Sequence, residues 1–400
     1  MVVDDSAVIR GLTSRWLGDE AGVGIVAVHA NGRKAVDDVA VSKPDVVILD
    51  IEMPEMDGLT ALPLLLERRP GLVVIVSSTL SRRGAEISLR ALALGAAECL
   101  AKPDGSGRIA GAADYRRTLI DLVKQLGARA RLRRSRESGP APVASREHAA
   151  TRETPSADAR ARLPGQREVA TPGAGGLAAR GHALPVQTAR RPGTEGAKAL
   201  RSYSSVPPRV LALGSSTGGP QALVEVLSSS KDVLARVPVI VVQHMPPTFT
   251  ALLAEQLGRA AGVPSAEAKE GEVLVPGRIY VAPGGRHLLV GRADDAVVAH
   301  LSDAPPEHFC RPAVDPMFRS VAQVYGAATL GVVLTGMGGD GGAGALAIAD
   351  SGGSVVIQDE ESSVVWGMPG AVAAAGACAG IFPLTQIGGK LRELLRGSGR

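Results

Sequence analysis

The sequence predicts an α/β protein made of two doubly wound, mostly parallel domains joined by a flexible linker. Three observations carry that expectation. Short apolar runs alternate with amphipathic stretches along most of the chain, the pattern of buried parallel strands covered by helices. Four hundred residues exceed what a single hydrophobic core serves. Between Tyr115 and Tyr203 there is no aromatic residue, and residues 129–201 hold 15 Lys and Arg against 6 Asp and Glu, a balance of +9. Such a segment cannot bury enough apolar area to offset its ordering entropy, so it reads as a spacer. The expected organisation is a first domain at 1–125, a basic Ala/Arg/Pro/Gly linker at 126–205 and a second domain at 206–395.

Composition excludes several classes. With 45% hydrophobic and 21% charged residues, the chain is globular rather than disordered. Aromatics at 2% argue against a nucleic-acid surface of stacked rings. Outside the linker the net charge is −5, so the folded parts present no basic footprint and no specific nucleic-acid partner is expected. The linker itself could touch RNA or lipid headgroups non-specifically. No run approaches about 18 apolar residues, so no membrane insertion is expected. The opening Met1-Val2-Val3-Asp4-Asp5-Ser6 lacks the basic and apolar regions of a signal peptide. Cys99, Cys310 and Cys378 are odd in number and far apart, which fits neither disulfides nor zinc and implies a cytoplasmic setting.

In the first domain, four apolar runs end in chemistry. Met1-Val2-Val3 leads to Asp4-Asp5, Val46-Val47-Ile48-Leu49 to Asp50, Leu72-Val73-Val74-Ile75-Val76 to Ser77-Ser78, and Cys99-Leu100-Ala101 to Lys102-Pro103. Parallel sheets bind ligands at the carboxyl ends of their strands. Clustered carboxylates favour a hard cation such as Mg²⁺, and a Lys with a hydroxyl would hold phosphoryl oxygens. Singly, each acid could be a helix N-cap; four strand ends together form a pocket. The first strand is short, with three residues before Asp4 against a usual five or six.

This segment resembles a response-regulator receiver domain, a flavodoxin-like doubly wound fold, through Asp4-Asp5-Ser6, Asp50-Ile51-Glu52-Met53-Pro54-Glu55-Met56-Asp57-Gly58, Ser77 and Lys102-Pro103. The resemblance implies that Asp50 accepts phosphate from a histidine kinase. It places Mg²⁺ on Asp4, Asp5, Asp50 and the Glu52 carbonyl, and gives Ser77 and Lys102 the switching roles. Ser78 neighbours the Ser77 position.

In the second domain, the strand Arg209-Val210-Leu211-Ala212-Leu213 runs into the turn Gly214-Ser215-Ser216-Thr217-Gly218-Gly219, and Pro220 opens a helix where proline is tolerated. Two readings compete. A phosphate cradle would want a Walker Lys or GxGxxG spacing, and neither is present. A nucleophilic serine at a strand–turn–helix elbow needs a base. Of the four histidines here, His244 follows the strand Val237–Gln243 and would reach the same rim. His287 is a second candidate, and His300 and His308 read as surface residues. An orienting carboxylate is offered by Asp340, in the glycine-rich loop after Gly331-Val332-Val333-Leu334. The chain order Ser, His, Asp departs from that of α/β-hydrolases.

The region 206–395 resembles the chemotaxis protein-glutamate methylesterase family (CheB). The resemblance rests on Gly214–Gly219, Gln243-His244-Met245-Pro246, Tyr280-Val281-Ala282-Pro283-Gly284, Leu334–Gly341 and Val364-Val365-Trp366-Gly367-Met368-Pro369-Gly370. The family often has Arg where Gly370 stands. The resemblance implies Ser216 as nucleophile, His244 as base and Asp340 as orienting carboxylate, with the Thr217 and Met337 amides as oxyanion donors and the Ser215 hydroxyl dispensable. It further implies hydrolysis of glutamate methyl esters and deamidation of glutamines on methyl-accepting chemoreceptors, with no cofactor for the ester step. The receiver would cover the catalytic rim until phosphorylated by the chemotaxis kinase, so deleting residues 1–200 should raise basal activity. Two rivals are a DNA-binding output, which would want a compact helical reader, and a catalytically silent adaptor that binds chemoreceptors.

Overall fold

The computed structural model describes residues 1–79, 81–102, 109–137 and 199–397. Pro103 and most of the expected linker lie outside the described residues.

The first sheet comprises β1 (Val2–Val3), β2 (Val28–His29), β3 (Val46–Asp50), β4 (Val73–Ser78) and β5 (Glu98–Ala101). They pair in the order β2-β1-β3-β4-β5, all parallel. Strand side chains alternate between faces. Val47 and Leu49 pack under α2 (Gly32–Ser42), α3 (Gly58–Arg68) and α4 (Arg82–Ala93), whereas Val46 and Ile48 pack under α1 (Ala7–Gly18) and α5 (Ile109–Glu137). The N-caps are residues other than the pocket acids: Ser6 caps α1 and Asp57 caps α3. Asp4, Asp5 and Asp50 therefore stand outside the capping role.

Helix α5 runs past the expected domain boundary at 125. It continues through Glu137, with Leu126 and Ala130 buried against the receiver. The Ala-, Leu- and Arg-rich stretch favours helix, and three of its arginines have partners. Arg131 and Arg134 both hold Asp45, and Arg129 donates to the Glu360 and Glu361 carbonyls. At the other end, docking begins before 206: Arg201 donates its amide to the Cys378 carbonyl, and Ser204 hydrogen-bonds Ser354 and Ala327.

The second sheet has seven parallel strands, β6 (Val210–Ser215), β7 (Val239–Gln243), β8 (Ser265–Glu267), β9 (Ile279–Val281), β12 (Thr329–Val333), β13 (Ser354–Gln358) and β14 (Gly380–Phe382). Their order is β14-β13-β12-β6-β7-β9-β8. Successive connections go one way from β6 to β7 and the other way from β12 to β13, so the topological switch point lies between β6 and β12. One face carries α6 (Gly219–Ser229), α7 (Phe249–Ala261) and α11 (Leu384–Arg396). The other carries α8 (Val314–Tyr325), α9 (Gly342–Asp350), α10 (Gly367–Ala375) and an antiparallel hairpin of β10 (His287–Ala293) and β11 (Ala296–Ser302). The hairpin places His300 on a regular strand, paired with Glu270 at the surface.

Candidate active site

Crevices of parallel sheets open at the switch point, and there the elbow after β6 meets the loops after β7 and β12. Ser216 follows β6 directly; its amide donates to the Thr335 carbonyl, and its own carbonyl accepts from Gly219 at the start of α6. Gly218 turns the chain at φ 76°, a conformation glycine takes without strain. A Cβ at Gly336 would stand 3.0 Å from the Ser216 Cβ and 2.2 Å from the Met368 sulfur, so only glycine lets that loop close on the elbow.

Gln243, the last residue of β7, locks the elbow. Its Oε1 accepts the Ser215 hydroxyl at 2.7 Å and its Nε2 donates to the Ser216 carbonyl at 2.9 Å. Ser215 is fully buried in this bond, which sets it apart as a structural residue. Its hydroxyl is a fixed hydrogen-bond donor to Gln243.

His244 follows β7, and its Nε2 lies 2.7 Å from Asp340 Oδ2. Asp340 is 1% exposed and accepts three further N–H groups, from Val314 (2.6 Å), Asp315 (2.8 Å) and Gly341 (2.8 Å). Two of these belong to the start of α8, whose unpaired amides and dipole favour an anion. Burial alone would raise the Asp340 carboxyl; the His244 ring and these amides outweigh it and hold its pKa below the ordinary value. Burial likewise opposes charge on His244, but Asp340 and the neighbouring Cys310 thiol raise its pKa. Among the described residues no hydrogen bond joins Ser216 Oγ to the His244 ring, as is common in resting sites. The amides of Thr217 and Met337, with those of Gly218 and Gly338, have no acceptor among the described residues, so this rim presents free donors.

Several residues around this centre carried no local signal in the sequence. Asp315, 1% exposed, accepts the Gly344 amide at 2.6 Å and pairs with His308 Nε2 at 2.9 Å. Burial and the adjacent Asp340 raise its pKa. His308 is exposed, as expected, and is also tied through Asp315 to the rim that holds Asp340. The Asp315, Asp340 and His308 ligand atoms lie within 4.8 Å of one another, but N–H donors already occupy the carboxylates. His287, the second candidate base, is a core residue: its Nδ1 accepts the Ala313 amide and its Nε2 faces the Pro305 carbonyl.

In the first sheet, Lys102 Nζ bridges Asp4 Oδ2 (2.9 Å) and Asp50 Oδ1 (2.8 Å). Burial raises the Asp50 carboxyl, and Asp4 adds to it while Lys102 opposes. Burial would lower Lys102, but the two acids raise it. The oxygens of Asp4, Asp5 and Asp50 lie within 4.8 Å of one another, a donor set that fits a hard divalent cation. Glu52 is exposed beside them. Ser77 stands in register with Asp50 and its hydroxyl meets Tyr115 Oη at 3.2 Å, whereas Ser78 points the other way onto Ser88 at 2.6 Å. Alternation along β4 thus separates the two serines.

Residues 211–391 match the family model described as CheB methylesterase, and residues 1–114 match the response regulator receiver domain. The protein-glutamate methylesterase/protein-glutamine glutaminase of group 2 operon of Bradyrhizobium diazoefficiens is 47% identical over 397 residues, 99% of this chain and 94% of that one. The chain belongs to the CheB methylesterase family. A second relative, protein-glutamate methylesterase/protein-glutamine glutaminase 1 of Rhodospirillum rubrum, is 47% identical over 97% of this chain and 92% of its own. The crystal structure of the Thermotoga maritima CheB methylesterase catalytic domain is 38% identical and covers 47% of this chain and 100% of that one, with a TM-score of 0.45.

In this CheB family member the receiver packs on the rim that carries Ser216 and His244. Gln221 Nε2 at the start of α6 donates to the Leu92 and Ala96 carbonyls at 2.7 and 2.9 Å. Phe249 and Leu252 of α7 join the receiver core around α4, and Met337, Val364 and Val365 join the cluster holding Tyr115 and Leu119. Glu98 of β5 lies beside the Thr217 hydroxyl. Burial raises its pKa, and Thr217, the Cys99 amide and His244 pull it back. No helix among the described residues is long and apolar enough to cross a membrane.

Proposed function

We propose that this chain is a phosphorylation-activated serine hydrolase that removes methyl esters from glutamate side chains of methyl-accepting chemoreceptors and deamidates receptor glutamines. The observation that carries this reading is the Asp340–His244 hydrogen bond at the switch point, beside the Ser216 elbow. Ser216 Oγ attacks the side-chain carbonyl carbon while the His244 nitrogen not held by Asp340 takes its proton. The carbonyl electrons move onto oxygen, and the free Thr217 and Met337 amides stabilise that charge, each worth about 3 kcal/mol. Collapse expels methanol or ammonia, which receives the proton from His244. Water then attacks the acyl-serine, with His244 again the base, and releases glutamate and Ser216.

Control falls to the receiver. Asp50 takes phosphate from a chemotaxis histidine kinase, with Ser77 and Lys102 answering the new charge, and Asp4, Asp5, Asp50 and the Glu52 carbonyl would hold Mg²⁺. When bound, the cation would neutralise the clustered carboxylates and the phosphoryl oxygens. The packing of α4 and β5 on the rim supports a receiver that restrains the esterase until Asp50 is modified. A thousandfold release would need about 4 kcal/mol of differential packing. The domains are thus a receiver ending with α5, a basic connection and a catalytic domain docked from about 201, in a cytoplasmic protein.

The test is methanol release from methyl-labelled receptor membranes by wild type and Ser216→Ala, with and without a phosphodonor and Mg²⁺. Phosphodonor-stimulated release that disappears in the variant is expected. Equal release from both would overturn the Ser216 assignment, and no release from either would favour a silent adaptor.

A further inference from the structure

Between β11 and α8 the chain makes a tight turn, Glu307-His308-Phe309-Cys310. Glu307 and Cys310 exchange backbone hydrogen bonds at 3.1 and 2.8 Å, and the two residues between them sit at φ 52° and 63°. A two-residue turn with both φ positive is built for Asn-Gly. Here it holds His and Phe, whose side chains make that backbone costly, so the surroundings must impose it. They do so through three side chains: Glu307 with Arg319 at 2.5 Å, His308 with Asp315 at 2.9 Å, and Cys310 beside the His244 ring. Asp315 in turn donates its amide to Asp340. The turn is therefore fastened directly to the catalytic rim.

Phe309 points the other way. It is 90% exposed, more than any other exposed large hydrophobic residue among the described ones. Its described ring contact is the Arg117 guanidinium of receiver helix α5, 5.2 Å from the ring centroid. A strained backbone that holds a phenyl ring in water returns no burial within the chain, and a ring held there is available to a partner.

We propose that Phe309 is a substrate-recognition residue: its ring packs against an apolar side chain of the receptor helix next to the glutamyl ester and so sets that ester over Ser216. Arg117 stands over the same ring in the receiver-docked state, and the receptor helix takes its place. The inference rests on the reading above that a chemoreceptor helix is the substrate.

The experiment uses the full chain with phosphodonor and Mg²⁺. Phe309→Ala and Phe309→Gly are compared with wild type on methylated receptor membranes and on a small soluble ester, p-nitrophenyl acetate. Both variants should raise the KM for receptor by about tenfold or more, the scale of an aromatic ring's burial, while turnover of the small ester stays within about twofold. Phe309→Gly also relieves the positive φ, so it should melt no lower than wild type, which separates lost recognition from lost folding. An unchanged receptor KM overturns the proposal, as does an equal loss on both substrates. A drop in sedimentation mass with unchanged KM also overturns it, by assigning the ring to a second copy of the chain. If wild type turns over the small ester but releases no receptor methanol, the substrate reading has failed and the proposal fails with it.

Discussion

At the carboxyl end of the first sheet, Asp4 and Asp50 share one cation, Lys102, and Asp5 stands exposed beside them. At the carboxyl end of the second, a single carboxylate, Asp340, accepts four N–H groups. The two sites occupy the same place in related folds and differ in how completely their charge is answered. An under-compensated cluster can take up a cation and a phosphoryl group and change shape on doing so. A fully satisfied carboxylate holds its imidazole in one orientation and has no reason to move. The first pocket leaves part of its negative charge unanswered, and the second answers all of it.

The hardest test of the fixed site is Ser216→Ala, which should lower methanol release by about 10⁴-fold or more, read in the phosphodonor-stimulated assay. Next comes Asp340→Asn, expected to cost about 10²- to 10⁴-fold in kcat and to alter the pH profile. As the proposed base, His244 would act only when unprotonated; burial opposes its charge but Asp340 raises its pKa, so wild-type kcat/KM should climb as pH rises above neutrality. In Asp340→Asn that rise should begin at lower pH; an unmoved profile would separate the pair. The sign for stability is opposite. Because the folded-state pKa of His244 lies above its unfolded value, the pair's contribution is full below the unfolded pKa and is lost as pH rises through the folded one.

The coupling between the two sites is tested by Glu98→Ala. Removing the receiver carboxyl beside Thr217 should raise unstimulated release about threefold to tenfold, the scale of one buried hydrogen bond, without changing the stimulated ceiling. A basal rate equal to wild type would show that Glu98 does not restrain the rim. The smallest effect is expected from Ser215→Ala. It leaves Gln243 Oε1 without its 2.7 Å donor, so thermal or urea unfolding should report a loss of about 1–3 kcal/mol, with activity within about threefold.

Much of both sites was readable because parallel strands are apolar runs and their ends are where polar residues gather. Asp50, Ser77, Lys102, Ser216, His244 and Asp340 each lie at or just beyond the carboxyl end of a strand or in the loop that follows it. What escaped the sequence is what depends on distant packing. Asp315 reads as an ordinary first-turn helix acid until α8 is set against Asp340. Cys310 reads as a lone thiol until its turn brings it to His244. His308 lacks any local pattern that would tie it to a buried acid. The extension of α5 was hidden by composition, because arginine-rich sequence suits a spacer and a helix equally until Asp45 and the Glu360 and Glu361 carbonyls appear opposite it.

Strand β5 is only four residues long, and it has a different partner at each end. Glu98 begins it beside the nucleophile elbow, and Lys102 follows it onto Asp50. Extended backbone rises about 3.3 Å per residue, so the two chemistries are separated by roughly 13 Å of nearly inextensible chain. One four-residue strand thus spans the distance from the contact at Thr217 to the contact at Asp50.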